Sequence, residues 1–207
     1  LRRINMTKCK LDDIESQNAI YDGEFMQTAK DILNIFELKD FGVLYESDFS
    51  RMADLHYILL IMATLENDGY FPDNGELEKK IAEFNDLYPN KENMAEALLK
   101  VFSLIKNMNL ELDSLWYRKS SFFTLVVELA KVILENDLDK IKFINTPEFK
   151  GRLNQFSQNV LDSRNNVQSK YHEYYLRTYQ GTNSRSARII RSEYFLQYCL
   201  NRDFSLI

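Results

Sequence analysis

The sequence runs to 207 residues, 45% hydrophobic and 28% charged, enough to bury one large core or two small ones without cross-links. Six glycines and three prolines are too few for the tight turns of a β-sandwich or barrel, and no apolar run reaches the ~18 residues of a membrane span. A net charge of −5 argues against indiscriminate binding to nucleic acid.

Apolar residues recur at helical spacing almost throughout. Leu11, Ile14 and Asn18 fit a short first helix. After Gly23, a second carries Phe25, Ala29, Ile32, Leu33 and Phe36. From Phe49 to Leu65 the run Met52, Leu55, Ile58, Leu59, Met62 makes one face, while Leu60, Ile61 and Ala63 fill the others, which predicts a buried, central helix. Asn67-Asp68-Gly69 stops it, and Pro72-Asp73-Asn74-Gly75 is a turn whose Asp or Asn caps a helix with Leu77, Ile81 and Phe84 facing inward.

Beyond Pro89-Asn90, the residues Met94, Leu98, Val101, Phe102 and Ile105 predict another helix. A loop holding Trp116 then leads to a strongly apolar helix from about Ser120 to Asn136. Thr146-Pro147-Glu148 is a start signal: a capping hydroxyl, a proline in the first turn and an acid near the positive end of the dipole. The helix it opens is read as continuing through Leu153, Phe156, Val160 and Val167 to Tyr171, Tyr174 and Tyr175, a narrow near-heptad stripe suited to an antiparallel hairpin or a partner helix. Gly181-Thr182-Asn183-Ser184 is a turn plus cap, and a last helix runs from about Arg185 to Leu200. The expected architecture is all-α, an irregular bundle of seven to nine helices. It forms one domain over 1–207, with a subdivision into an acidic body (1–140) and a basic hairpin (141–207).

Catalytic signatures are missing from the sequence. His56 and His172 have no cysteine or second histidine at ligand spacing, and His56 beside Asp54 reads as structural. Cys9 and Cys199 form neither a metal motif nor a disulfide framework and read as reduced thiols of a cytoplasmic protein. Neither a phosphate-cradling glycine loop nor a nucleophile elbow occurs. No catalytic residue, metal or cofactor is therefore expected of this chain alone.

Charge does carry a pattern. Residues 1–10 hold four basic residues and no acid; from Lys140 onward eleven basic residues face five acidic ones, a net of +6; the stretch between has eleven against twenty-six, a net of −15. Two clusters stand out as candidate nucleic-acid or phosphate contacts. One is Arg2, Arg3 and Asn5, with Thr7, Lys8 and Lys10. The other is Arg185, Arg188 and Arg191, spaced by three along one side of the last helix, where Asn183, Ser184 and the first backbone amides add donors. The plainer alternative for these arginines is ion pairing with the acidic middle of the chain. A further one is base reading by the last helix in a major groove.

The opening resembles a known family. Leu1-Arg2-Arg3-Ile4-Asn5-Met6-Thr7, then Leu11, Glu15, Asn18-Ala19 and Gly23-Glu24-Phe25, followed by Arg51-Met52-x-Asp54 and an apolar helix, is similar to the GmrS-type N-terminal domain family of modification-dependent restriction and phage-defence proteins of bacteria. The likeness covers residues 1–65; beyond them only the helical character and the arginine-rich last helix share it. Leu1 stands where the family's Phe-x-x-x-Asn motif has Phe, and Asn5 matches its Asn.

The resemblance implies a ParB-like α/β lobe with an Asp-Gly-Gln-Gln-Arg motif, followed by helices. That motif does not occur here, so the chain, opening on Leu1 without a leader, reads as the helical C-terminal part of a longer protein. By the same resemblance, the parent would be an NTP-dependent DNA nuclease using a nucleoside triphosphate and Mg. The upstream lobe and DNA would be the partners of this scaffold. The alternative is an interaction or oligomerisation module without nucleic acid, a homodimer through the stripe from Leu153 to Tyr174.

Overall fold

The three- and four-residue apolar spacing becomes nine α-helices, with no strand among the described residues. The computed structural model describes residues 22–44, 52–67, 69–72, 74–111 and 113–201. Leu11, Ile14 and Asn18 of the expected first helix lie outside the described residues, as do Arg2, Arg3 and Asn5. The helices are α1 (Glu24–Ile35), α2 (Ala53–Glu66), α3 (Asn74–Glu83), α4 (Lys91–Met108), α5 (Lys119–Leu134), α6 (Leu138–Ile144), α7 (Pro147–Asp162), α8 (His172–Tyr179) and α9 (Arg185–Phe195). A π-helical turn, Leu196–Leu200, continues α9. No helix among the described residues is long and apolar enough to cross a membrane.

α5 is the axis of the molecule. Every residue from Ser121 to Ala130 is buried, and the helix packs against α2, α4, α8 and α9. Its phenylalanines and valines have β propensity, but a segment of 16 residues surrounded by other helices satisfies its backbone internally, and tertiary packing settles the conformation. α2 is likewise apolar on most sides, with Ile58, Leu59, Ile61 and Met62 fully buried. The core is continuous from Phe25 to Leu200.

One buried carboxylate crosses this core. Glu128 of α5 is 2% exposed, and its Oε1 accepts from Tyr70 Oη at 2.5 Å, Ser192 Oγ at 2.8 Å and Lys131 Nζ at 2.9 Å. Those partners offset the desolvation of the charge.

Two of the start signals behave as the sequence predicts. Thr146 Oγ1 accepts from Phe149 N at 3.3 Å with Pro147 in the first turn, and Ser184 Oγ accepts from Ala187 N at 3.2 Å. The single long helix expected from Thr146 to Tyr175 does not form. α7 ends at Asp162, and α8 begins only at His172. Ser163 Oγ donates to Val160 O at 2.6 Å and Asn166 Oδ1 accepts from Gln168 N at 3.2 Å, so short polar side chains take over bonds a helix would make along its backbone. Val167 leaves the stripe and is 70% exposed.

The rest of the stripe is covered by the chain itself. Trp116, fully buried in a 3-10 turn, stacks on Phe156 at 5.6 Å, meets Tyr174 and Phe195 edge-on, and donates from Nε1 to Leu153 O at 2.9 Å. Tyr198 of the π turn closes over Phe156 from the other side at 5.8 Å.

Candidate anion-binding site

A helix start carries partial positive charge and uncompensated N–H groups, so acidic side chains belong there. Seven of the nine helices obey: Glu24, Asp54, Glu76, Glu92, Asp139, Glu148 and Glu173 sit in first turns. α5 and α9 have no acid there. They carry cations instead, Arg118 and Lys119 at the start of α5 and Arg185 and Arg188 at the start of α9. No side chain caps α5.

The start of α5 opens on a cavity of about 580 Å³, which α9 reaches through Arg188 and Arg191. α2 contributes His56, Tyr57 and Leu60; α5 and its cap contribute Arg118, Lys119, Ser120 and Phe123; the end of α8 and the following turn bring Thr178, Tyr179, Thr182 and Asn183; α9 supplies Arg188 and Arg191; Pro72 completes the wall. Among the described lining residues are four cations and no Asp or Glu.

The two α9 arginines are deep. Arg188 is 5% exposed; its Nη1 donates to Phe71 O at 2.8 Å, and its guanidinium lies 5.8 Å from the Phe71 ring and 5.1 Å from that of Phe123. Arg191 is 1% exposed and is held by three acceptors: Thr124 Oγ1 at 3.2 Å, Arg177 O at 2.6 Å and Thr182 O at 3.0 Å.

Every acceptor is neutral, so the expected ion pairing with the acidic middle of the chain is not what holds these two residues. Burial lowers both guanidinium pKa values, and for Arg188 the neighbouring Arg191 charge adds to the effect. Burial also pushes the phenols of Tyr57 and Tyr70 well up, which keeps both neutral. Two buried positive charges, one helical turn apart, thus stand without a counter-charge from any described side chain.

No family model, curated protein or solved structure matches this chain. What the cavity can do follows from its own chemistry. Carbonyls at the end of α8 would repel an anion, but Arg191 occupies Arg177 O and Ser120 Oγ donates to Thr178 O at 2.9 Å. The turn that brings α9 back against α5 passes through Gly181 at φ 57°, the left-handed position that ends a helix. Of the five N–H groups of Arg188, one donates to a described residue, leaving the others for whatever enters. A site with donors, an uncapped helix start and cations in excess, walled partly by apolar side chains, has the chemistry to receive an anion.

Of the sequence candidates, Arg188 and Arg191 meet in this cavity. Arg185 is exposed outside it, with Nε donating to Tyr70 O at 2.9 Å. The burial of Arg188 and Arg191 removes two of the three from a groove-reading role, because such a helix must present its side chains at the surface. Arg118 and Lys119, exposed at the cavity mouth, did not stand out from sequence. The signal that would have found them is two cations opening a strongly apolar helix with no acid beside them.

Proposed function

We propose that this chain is a helical scaffold that binds a phosphate-type anion in the cavity where the start of α5 meets Arg188 and Arg191 of α9, as the helical body of a GmrS-type restriction or phage-defence protein would in contacting nucleotide or nucleic-acid phosphates. One observation carries the reading: the cavity at the uncapped start of α5 is lined by four cations and, among the described residues, by no Asp or Glu. In this reading the chain binds and positions. NTP- and Mg-dependent cleavage of DNA would belong to an upstream ParB-like lobe, with Arg2, Arg3 and Asn5 at its junction. The competing idea of an oligomerisation module loses its motive, since the stripe meant for a partner is packed against Trp116, Phe195 and Tyr198.

Calorimetric titration of inorganic pyrophosphate into the purified chain, at low and physiological salt, tests the reading. Saturable binding that weakens with salt, and falls at least about 10-fold in the Arg118→Ala/Lys119→Ala double variant, is expected. Both residues are exposed, so the fold survives their loss. Absence of binding, or binding that ignores the double substitution, overturns it.

A further inference from the structure

A second cavity shares no residue with the cationic one. It is a groove of about 800 Å³ lined by α4, the last turn of α5, α6 and the start of α7. That volume lies within the range of sites for small organic ligands.

The apolar lining of the groove is aliphatic. The sequence has 14 phenylalanines, 12 tyrosines and one tryptophan, yet among the described residues none of them lines it. Leu99, Leu104 and Met108 of α4 stand there with Ile133 of α5 and Ile141 and Ile144 of α6. Four of them, Leu99, Leu104, Ile133 and Ile141, pack on the core while remaining only partly buried. A flat ring finds nothing to stack on in such a wall. A saturated chain fits it, because methylenes gain by leaving water and ask for no directional partner.

The charges of the lining are unequal. Glu96 is the one acid among the described lining residues, and Lys100 Nζ holds it at 2.6 Å. Lys150, half-buried in the first turn of α7, makes no ion pair with a described residue; Glu148, two positions before it, is engaged by Arg152 at 3.4 Å. A lysine of this kind lays its methylene stem along an apolar wall and keeps its ammonium at the water boundary. That is where the head of an alkyl chain lying in the groove would also stand.

We infer that the groove binds a straight-chain carboxylate, a fatty acid, with its alkyl chain along the aliphatic side chains and its carboxylate at Lys150. This site is separate from the anion cavity, and neither depends on the other.

Isoleucine-methyl NMR of the intact chain, titrated with decanoate, hexanoate and decyltrimethylammonium below their micelle concentrations, tests it. Decanoate should shift the methyl signals of Ile133, Ile141 and Ile144 saturably and leave that of Ile58, fully buried in α2, in place. Hexanoate, shorter by four methylenes, should bind at least about 10-fold more weakly. Decanoate should be preferred over decyltrimethylammonium by about 10-fold, and Lys150→Gln should cut that preference about threefold without changing the dependence on chain length. The Arg118→Ala/Lys119→Ala variant should bind decanoate like the unaltered chain.

If the three methyl signals stay in place, or respond equally to hexanoate, the inference falls. It falls too if the charge of the head group makes no difference, or if Lys150→Gln leaves the preference whole. Loss of the decanoate shifts in Arg118→Ala/Lys119→Ala would assign the carboxylate to the cationic cavity instead. A chain that sediments as a dimer broken by Ser103→Trp would assign the groove to a second copy, which also overturns the inference.

Discussion

The two ends of α5 make opposite use of the same backbone physics. At its C-terminal end lies a groove of about 800 Å³ whose walls include Leu99, Leu104, Met108, Ile133, Ile141 and Ile144. The helices that start there are finished by the chain itself: Asp137 Oδ1 accepts from Lys140 N at 3.0 Å, Thr146 caps α7, and Asp139 and Glu148 occupy the first turns. At the N-terminal end, about 24 Å away along a helix of 16 residues, the starts of α5 and α9 receive cations. At the first end the helix starts are complete without a ligand. The second concentrates positive charge that the described protein leaves uncompensated, a cost tolerable where an external anion offsets it. The difference teaches that one backbone dipole can be met by the chain's own acids in one place and by cations in another.

The hardest test of the contrast is Arg191→Met. The side chain ties α9 to α5, to the end of α8 and to the Gly181 turn through its three hydrogen bonds. Its loss leaves two backbone carbonyls and a hydroxyl without a donor, and should destabilise the fold by about 3 kcal/mol, lowering Tm by about 6–12 °C. At the other end, Ile144→Val removes one methylene and should cost only about 1 kcal/mol. Urea unfolding of both variants reads the difference. Equal losses would mean that the cationic end is held by ordinary packing.

Next in size is the response to an anion. Saturating the cavity with pyrophosphate at about 100 times its Kd should stabilise the chain by about 2.7 kcal/mol, seen as a rise of several degrees in Tm. Lys100→Ala and Lys150→Ala, which remove cations from the apolar groove, should leave that rise intact. If they abolish it, the anion is bound at the wrong end of α5.

How far the sequence disclosed these two ends differs between them. The helices were legible because apolar period and caps act locally: Thr146-Pro147-Glu148 and Ser184 start helices where they were read. The break after Asp162 was hidden because Ser163 and Asn166 act through single side-chain bonds that no periodicity records. Arg188 and Arg191 stood out by spacing, yet spacing cannot tell a surface stripe from a buried pair. Their depth depends on Phe71, Phe123 and Thr124, which the fold brings from 65 to 117 positions away. Arg118 and Lys119 gain their meaning from a cavity in which the fold joins them to Arg188 and Arg191, 69 to 73 positions further along the chain.

A smaller effect has the more telling sign. Lys119→Glu places an acid where the α5 dipole favours one, so the anion-free protein should gain about 0.5 kcal/mol while its affinity for pyrophosphate falls. Glu148→Lys, the reverse exchange at the start of α7, should cost a similar amount and leave pyrophosphate binding alone. Stability and binding moving in opposite directions at one end only is the signature of a helix start kept positive for a ligand. Loss of stability in Lys119→Glu would contradict it.

The smallest effect concerns pH. The backbone N–H of Lys140, then its side chain, hold the Asp137 carboxyl below its ordinary value of 3.8. A depressed folded-state pKa means a contribution that is fully present above the unfolded value and fades as pH falls through the folded one. Acidification below about pH 4 should therefore weaken the cap of α6 first at the groove end. Hydrogen exchange at the amides of Lys140 and Ile141 should quicken there, relative to the intrinsic rate, and Asp137→Asn should flatten that dependence. No described Asp or Glu lines the cavity at the cationic end, so a carboxylate cap of this kind has no counterpart there. Equal acid sensitivity of the α5 start would show that the two ends are not electrostatically distinct.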